Sequence, residues 1–350
     1  MKSFEDNKKV FKYTGAFHIH SLFSDGTGSI NDTAHAAKQA GLDWIIITDH
    51  NNMSISEGII DGVTVIKGEE ISPAASNHYL ALGIDKCIMP LENLQDAVNA
   101  VKEAGGFGFA AHPDESENRK NPYKPIKWTD KEIIPDGIEI WNWFSEWADN
   151  YESRNIFTQA YAYLFKDRLV KKPYAETMEW FDSLNSRSEK IIPAIGGIDA
   201  HALKTKKYFL PLCIFPYKTM FKTILNKIIL DKPLEAGFEK RKMQILNALK
   251  EGRNIIFNRR ICSKAPEIYI KNDLEAVFPG GSIILDLNTY LYFNCTKRAE
   301  IIVYKDGREY AHLKAQSTRI KISGAGKYRI EALIKGFGYA YSNPFIVKEG

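Results

Sequence analysis

Between His18 and Asp25 the chain reads HIHSLFSD, two imidazoles two positions apart followed closely by a carboxylate. Side chains two apart on an extended segment point to the same face, so His18 and His20 can close on one metal ion. Asp25, in a turn with Gly26, adds a hard oxygen ligand to two borderline nitrogens. The same residue types recur downstream: His50 after WIIITD, Glu69 and Glu70 after VTVIKG, His78 before YLALGI, His112 after FGFAA, and Asp199 with His201, again two apart, after IIPAIGGI. Imidazoles and carboxylates of this kind hold divalent cations, which make water acidic enough to act near neutral pH. Asp49 precedes His50 and points the other way, so it reads as an orienting partner or a strand-end cap. Periodicity does not choose between Glu69 and Glu70. His35, in a helical stretch, and His312 lack such company and read as structural.

The elements that must position these groups are short apolar runs. GAFHIH, LDWIIITDH, VTVIKGEEI, HYLALGI, FGFAAHP, DGIEIWNW and IIPAIGGIDA read as seven buried strands, each closed by a turn signal. SINDTAHAAKQAG and LENLQDAVNAVKEAGG have helical spacing and terminal glycines. Strands interleaved with helices predict an α/β fold, a parallel barrel or doubly wound sheet, with chemistry at the carboxyl ends of the strands. All the candidate ligands above except His78 fall there. Residues 114–135 are polar and proline-bearing and read as a long loop over one face, followed by two helices, ESRNIFTQAYAYLFKDR and YAETMEWFDSLNSR. Further helical stretches are expected after about 205, the last being EKRKMQILNALKEGRN. From about residue 265 short alternating strands with turns such as Asp306-Gly307 predict a small antiparallel sandwich of Ig type. The expected domains are therefore 1–262, a barrel with trailing helices, and 263–350, a β-sandwich.

Forty-seven basic against 43 acidic residues give a net charge of +4, too balanced for a nucleic-acid scavenger or a polybasic membrane binder. No apolar run reaches the roughly 20 residues of a membrane span, and the N-terminal residues lack the layout of a secretory signal, so the chain reads as cytoplasmic. Stable binding of duplex nucleic acid or of membranes is not expected, and oligomeric state is left open. Cys87, Cys213, Cys262 and Cys295 form no Cys-x-x-Cys pair and read as reduced, mostly buried thiols.

As an ordered set, His18-Ile19-His20 with Ser24-Asp25-Gly26, Thr48-Asp49-His50-Asn51, Gly68-Glu69-Glu70-Ile71, His78, Ala111-His112-Pro113 and Gly197-Ile198-Asp199-Ala200-His201 resemble the motifs of the PHP family, the polymerase and histidinol phosphatase metal-dependent phosphoesterases. The resemblance covers residues 15 to about 205. It implies a distorted seven-stranded (β/α) barrel and three divalent ions, Mn, Zn or Fe. It also implies a ligand set: His18, His20, Glu70 and Asp199 for one ion, Asp25, His50 and His201 for a second, and Glu70, His78 and His112 for a third. Glu70 would bridge, and it is the glutamate that matches the family's, two after Gly68 and just before Ile71. The implied activity is hydrolysis of small phosphomonoesters, with nucleotides or other phosphodiesters as further candidates, by a metal-bridged hydroxide attacking phosphorus in line. Asp25 and His201 are the catalytic candidates, with His201 or Asp114 as proton donor to the leaving group.

Arg119 and Lys120, in the polar loop after His112, together with Asn51 and Trp141, are candidates for contact with a small phosphorylated substrate. The aromatic run Trp141, Trp143, Phe144 and Trp147 could line a pocket rim or pack helices against the barrel. Members acting on nucleoside phosphates carry an extra helical segment ahead of the histidine matching His112, and here residues 79–111 form an ordinary helix-strand unit. Two other functions are compatible with the same residues: a metal-dependent hydrolase of C–N or C–O bonds, and a metal-containing protein whose sandwich binds a glycan or a partner.

Overall fold

In the computed structural model the described residues are 9–73, 76–91, 93–115, 127–152, 168–205, 212–213 and 215–350. Through the histidine-bearing half, the order is β1 (Phe11–Ala16), α1 (Ile30–Gln39), β2 (Trp44–Ile47), β3 (Gly58–Ile60), β4 (Val63–Lys67), β5 (Glu69–Ile71), β6 (Tyr79–Leu82), α2 (Leu94–Glu103), β7 (Phe107–Ala110), β8 (Gly137–Asn142), α3 (Trp143–Glu152), α4 (Ala175–Arg187) and β9 (Ala194–Gly197). It continues with β10 (Lys204–Thr205), β11 (Leu212–Cys213) and α5 (Tyr217–Met220). All four residues of β2, β6, β7 and β9 are buried, as continuous apolar runs require. Helix α1 starts on a capping box: Ser29 Oγ accepts from the Asp32 amide at 3.1 Å, and the Asp32 carboxylate accepts from the Ser29 amide at 3.3 Å.

The strands pair in two sets. β1 and β2, and β2 and β4, are parallel, while β3 folds back antiparallel on β4. The second set runs β5-β6-β7-β8-β9, antiparallel in its first two pairings and parallel in its last two. Single parallel bridges, Ile19 to Ala200 and His50 to Glu70, tie one set to the other.

This is a mixed α/β arrangement with large sheets and few helices among the described residues, and it departs from a uniformly parallel (β/α) set at β3 and β6. The connection from β5 to β6, residues 72–78, is too short for the crossover of a dozen or more residues that a parallel pair needs, so β6 runs backwards. That reversal explains His78. It opens its strand, yet Tyr79 lies opposite both Ile71 and Ala110, so the start of β6 meets the ends of β5 and β7. The run VTVIKGEEI is also two strands rather than one, broken at Gly68, where a Cβ would lie 2.6 Å from Leu82 Cδ2 and 2.9 Å from the Ala81 carbonyl.

The chain divides into two compact units: one of residues 15–181 and 194–225, the other of 1–14, 182–193 and 226–350. In the second, β12 (Ile224–Leu230) and α6 (Phe238–Lys250) precede β13 (Asn254–Asn258), β14 (Glu267–Lys271), β15 (Ala276–Val277), β16 (Ser282–Ile284), β17 (Tyr290–Lys305), β18 (Arg308–Lys321), β19 (Gly326–Ile334), β20 (Phe337–Ser342) and β21 (Phe345–Lys348). ILNKIIL is thus a strand where helix is expected, an ambiguity that short apolar runs always carry. β17 and β18 form one long antiparallel ribbon, turned at Asp306 and Gly307, whose φ values of 49° and 77° suit a tight hairpin. β17 is longer than the short strands expected here: YLYFNC and AEIIVYK belong to a single strand with an irregularity between Asn294 and Ala299.

The segment 182–193 belongs to this unit for a physical reason. Arg329 donates through Nε and Nη2 to both carboxylate oxygens of Asp182, at 2.5 and 2.6 Å, and through Nη1 to Glu331 at 2.6 Å. Lys327 Nζ donates to the carbonyls of Asn185, Ser188 and Lys190, at 2.8, 2.6 and 2.6 Å, satisfying acceptors that the end of α4 leaves open. All four cysteines are free; Cys262 and Cys295 are buried, whereas Cys87 and Cys213 are exposed, against the expectation of mostly buried thiols. Among the described residues, no helix is long and apolar enough to cross a membrane.

Candidate metal centre

Beyond β1 the chain leaves regular strand geometry. His18 has φ = 65° and Asp199 φ = 50°, and the two segments exchange backbone hydrogen bonds around Ile19 and Ala200, at 2.9 Å from the His20 amide and 3.2 Å from the Ala200 amide. His112, past the end of β7, has φ = 27°. A non-glycine residue held in the left-handed region costs on the order of 1–3 kcal/mol, so three of them at one place are retained against a gradient of stability. The two-apart pairing read from the sequence is therefore made by a bent segment beyond the strand, not by strand alternation.

This backbone brings nine side chains to one place. Glu70 Oε2 lies 3.2 Å from Nε2 of both His18 and His20 and 3.1 Å from His50 Nδ1. Glu70 Oε1 lies 2.7 Å from His78 Nδ1 and 3.2 Å from His112 Nε2. Asp199 Oδ1 is 3.2 Å from His20 Nε2 and 3.6 Å from His18 Nε2. Asp25 reaches His201 Nε2 at 3.2 Å and His50 Nε2 at 3.7 Å. Glu69 faces elsewhere, accepting from Cys87 Sγ and the Ile88 amide, each at 2.8 Å, so Glu70 is the glutamate of the cluster.

Several tautomers follow from the outer partners. The Asp199 carbonyl can only accept, so His201 Nδ1, 3.0 Å away, carries the proton and Nε2 is left to face Asp25. Ser72 Oγ donates to the Glu70 carbonyl and so accepts from His50 Nδ1 at 2.6 Å, which turns His50 Nε2 inward as a lone pair. His18 Nδ1 meets Glu139 Oε1 at 2.8 Å, an orienting carboxylate–imidazole pair.

Glu139 was not singled out by sequence reasoning, and it holds more than His18. Its other oxygen accepts from the His112 amide at 2.7 Å and from Asn142 Nδ2 at 3.0 Å. A Cβ at position 197 would lie 1.6 Å from Glu139 Oε1, so Gly197 is what makes room for this carboxylate. The available signal was a glutamate inside GIEIWN, a strand buried at all six positions, where a carboxylate needs a partner. Glu115 stands in a similar relation to His112, with Oε2 3.5 Å from Nδ1 and held by Ser145 Oγ at 2.9 Å. Asp49 caps the turn after His20, accepting from the Ser21 amide, Ser21 Oγ and Ser24 Oγ at 2.7, 2.6 and 2.6 Å.

Burial and mutual charge act in opposite directions here. Burial alone would lower His20, but the carboxylates of Asp199 and Glu70 outweigh it and raise it to about 10. His112 is likewise raised to about 9 against its burial, by Glu70 and Glu115. His50 goes the other way, to about 4, because burial dominates and His20 adds to it. Burial favours the neutral carboxyl of Asp25, yet His201, His20 and His50 bring it down to about 2, and the imidazoles hold Glu70 and Asp199 well below the ordinary range.

The cluster fits a cation on two structural grounds. His20 Nε2 is buried and within 3.2 Å of two carboxylate oxygens, yet has hydrogen-bond geometry with neither. Four overlapping groups, His20/Asp25/His50/His201, His18/Glu70/His112, His18/His20/Asp199 and His50/Glu70/His78, each place their ligand atoms within 4.8 Å of one another. Such spacing suits nitrogen and oxygen bonds of about 2.0–2.2 Å to a shared ion.

The remaining candidates are placed as follows. Asn51 spends its side chain on Ser72, donating to its carbonyl at 3.1 Å and accepting from its amide at 2.8 Å. Trp141 is 1% exposed and donates to Glu146 at 2.8 Å, so it packs inside rather than lining a mouth. The Phe144 ring, in contrast, lies 5.6 Å from that of His201. Asp114 accepts from Lys131 at 3.0 Å and Thr177 at 2.8 Å. Arg119 and Lys120 lie outside the described residues. His35 and His312 pair with Asp61 and Glu300, at 3.0 and 2.8 Å, as structural histidines do.

The strand arrangement defines a mixed α/β protein whose cluster could hold metal ions, and comparison with known proteins gives the family. The family model for the PHP domain matches residues 16–202, more than half of the chain, and the chain belongs to that family. An uncharacterized protein of Aquifex aeolicus is 31% identical over 87 residues, covering 25% of this chain and 29% of that protein. An uncharacterized protein of Methanocaldococcus jannaschii is 28% identical over 143 residues, covering 37% and 77%. Among solved structures, a two-domain protein from Bacteroides vulgatus, described as containing a predicted PHP-like metal-dependent phosphoesterase, aligns with 17% identity and a TM-score of 0.46, over 96% of this chain and 95% of that one.

Proposed function

We propose that this protein is a metal-dependent phosphoesterase acting on small phosphomonoesters, on a distorted barrel of PHP type. The observation that carries the reading is the convergence of His18, His20, Asp25, His50, Glu70, His78, His112, Asp199 and His201, with His20 Nε2 buried and without a hydrogen bond. Three divalent ions are the proposed complement: His18, His20, Glu70 and Asp199 for one, Asp25, His50 and His201 for the second, Glu70, His78 and His112 for the third. Such ions, when bound, supply water of lowered pKa and neutralise phosphoryl oxygens.

The chain's own residues do the rest. Glu70 presents one oxygen to His18, His20 and His50 and the other to His78 and His112, so it fixes the spacing of the whole cluster. Glu139, and the hydrogen bonds of Ser72 and the Asp199 carbonyl, orient His18, His50 and His201. Asp25, whose side chain is 56% exposed, and His201 stand at the open edge, where a phosphoryl group and its leaving oxygen would arrive. Asp114 is the weaker choice for moving the leaving-group proton, because Lys131 and Thr177 already occupy its carboxylate.

The test is phosphate release from a panel of mono- and diesters by Mn-reconstituted protein, beside the His18→Ala/His20→Ala double variant, with bound metal measured in both. Release and tight metal binding in the wild type, with both lost in the variant, is the expected result. Full hydrolysis by the variant, or silence of metal-loaded wild type across the panel, overturns the reading.

A further inference from the structure

Exposed apolar side chains gather at the open edge of the histidine cluster. Leu22 and Phe23 lie in the turn between the candidate ligands His20 and Asp25, 60% and 45% exposed, and Leu203, just past His201, is 36% exposed. Hydrogen bonds hold the two segments together: the Thr27 amide donates to the His201 carbonyl at 2.9 Å, and Lys204 Nζ donates to the Thr27 carbonyl at 3.2 Å. Asn52 Nδ2 donates to the Phe23 carbonyl at 2.8 Å, which ties the same turn to the loop after His50. A further apolar group reaches this edge from another element. Phe144, half-buried in the first turn of α3, has its ring 5.6 Å from that of His201. It is backed by Trp147 at 6.1 Å and Phe215 at 6.3 Å, both buried and themselves 4.6 Å apart, edge to face.

Single exposed apolar side chains are ordinary, whereas a group of them at one place marks a surface that a ligand or partner covers. We propose that this edge receives the alcohol part of the substrate, that the site selects phosphomonoesters of apolar, ring-bearing alcohols, and that Phe144 sets the preference. The proposal rests on the phosphoesterase reading above, which brings the phosphoryl group to Asp25 and His201 and so leaves the alcohol beside Phe144. A ring settling there removes apolar surface from water on both sides and gains stacked or edge contact with Phe144. A polyhydroxylated alcohol would instead give up water at its hydroxyls against apolar side chains.

The experiment measures binding and turnover separately on full-length, Mn-loaded protein. Binding is followed by calorimetry with benzylphosphonate and ethylphosphonate, which share one anionic group and are not hydrolysed. Turnover is followed as phosphate release from benzyl and ethyl phosphate, and bound manganese is counted in every variant. The expected result is that wild type binds benzylphosphonate about tenfold more tightly than ethylphosphonate. That preference should nearly vanish in Phe144→Ala and be kept in part by Phe144→Leu, which retains apolar bulk. Equal affinity of wild type for the two phosphonates, or full preference in manganese-replete Phe144→Ala, overturns the proposal, and cleavage of the esters would then leave the phosphoesterase reading standing. A benzylphosphonate preference that depends on Phe144, without phosphate release from either ester, supports the apolar edge and overturns the phosphoesterase reading alone.

Discussion

Two buried clusters of charge in this molecule are built on opposite plans. Around Arg329, in the C-terminal unit, Nε, Nη1 and Nη2 all reach carboxylate oxygens of Asp182 and Glu331 within 2.6 Å, and the guanidinium lies 4.1 Å from the Tyr304 ring centroid. Around Glu70, six imidazoles crowd three carboxylates, one buried nitrogen lacks a hydrogen bond, and His18, His112 and Asp199 hold left-handed backbone. The first cluster is closed: donors and acceptors consume one another, and its role is to attach 182–193 to the strands. The second is open, with lone pairs of His18, His50 and His201 turned inward by outer partners, and such a set could be completed by a cation from outside. Burial and charge alone do not mark a functional site; incomplete mutual satisfaction, maintained at the cost of backbone strain, does.

Breaking the closed cluster should have the largest effect on stability. Arg329→Ala leaves the buried Asp182 and Glu331 carboxylates uncompensated and should cost about 3–5 kcal/mol in a denaturant titration. Hydrolysis per folded chain should be unchanged, and a variant as stable as wild type would remove the basis of the contrast.

Disturbing the outer support of the open cluster should act on metal rather than on folding. Glu139→Gln keeps the shape but weakens the hold on His18 Nδ1 and on the His112 amide, and should reduce metal affinity by roughly 10–100-fold. Competition with a chromogenic chelator measures it. An affinity equal to wild type would mean that Glu139 only fills space below Gly197.

The mildest probe is pH. In metal-free protein His20 and His112 hold protons up to about 10 and about 9, above the ordinary histidine value of 6.5. Their contribution to stability is then complete below about 6.5 and disappears as pH rises through 9 to 10. The melting temperature of chelator-treated protein should fall over that window. Metal affinity should rise over it, since imidazole must be deprotonated to bind. Arg329, raised above an already high value by its carboxylates, does not titrate there. A melting temperature that is flat or rises from pH 6.5 to 10 contradicts the assignment.

Much of the site was legible because ligand-type residues are conspicuous at the ends of apolar runs. His18, His20, Asp25, His50, His78, His112, Asp199 and His201 were each readable by type and position, as were the start of α1 at Ser29 and the turn at Asp306-Gly307. What sets these positions is local chemistry: caps, turn glycines and the limit on how long an apolar run continues. Glu139, the use of Asn51 on Ser72 and the burial of Trp141 were not legible, because a side chain's partner is chosen by a strand far away in sequence.

Sequence alone thus determined which residues could carry the chemistry, and near which strand ends they stand, since residue type and local periodicity suffice for that. Periodicity left Glu69 and Glu70 open and only the resemblance favoured Glu70; the tertiary structure shows Glu70 facing the cluster, and it alone decided that β6 runs backwards so that His78 joins the others and that 182–193 packs with strands more than a hundred residues away. Each of those outcomes is a choice between local conformations of similar energy, and the balance is tipped by pairing and charge contacts that exist only once distant segments meet.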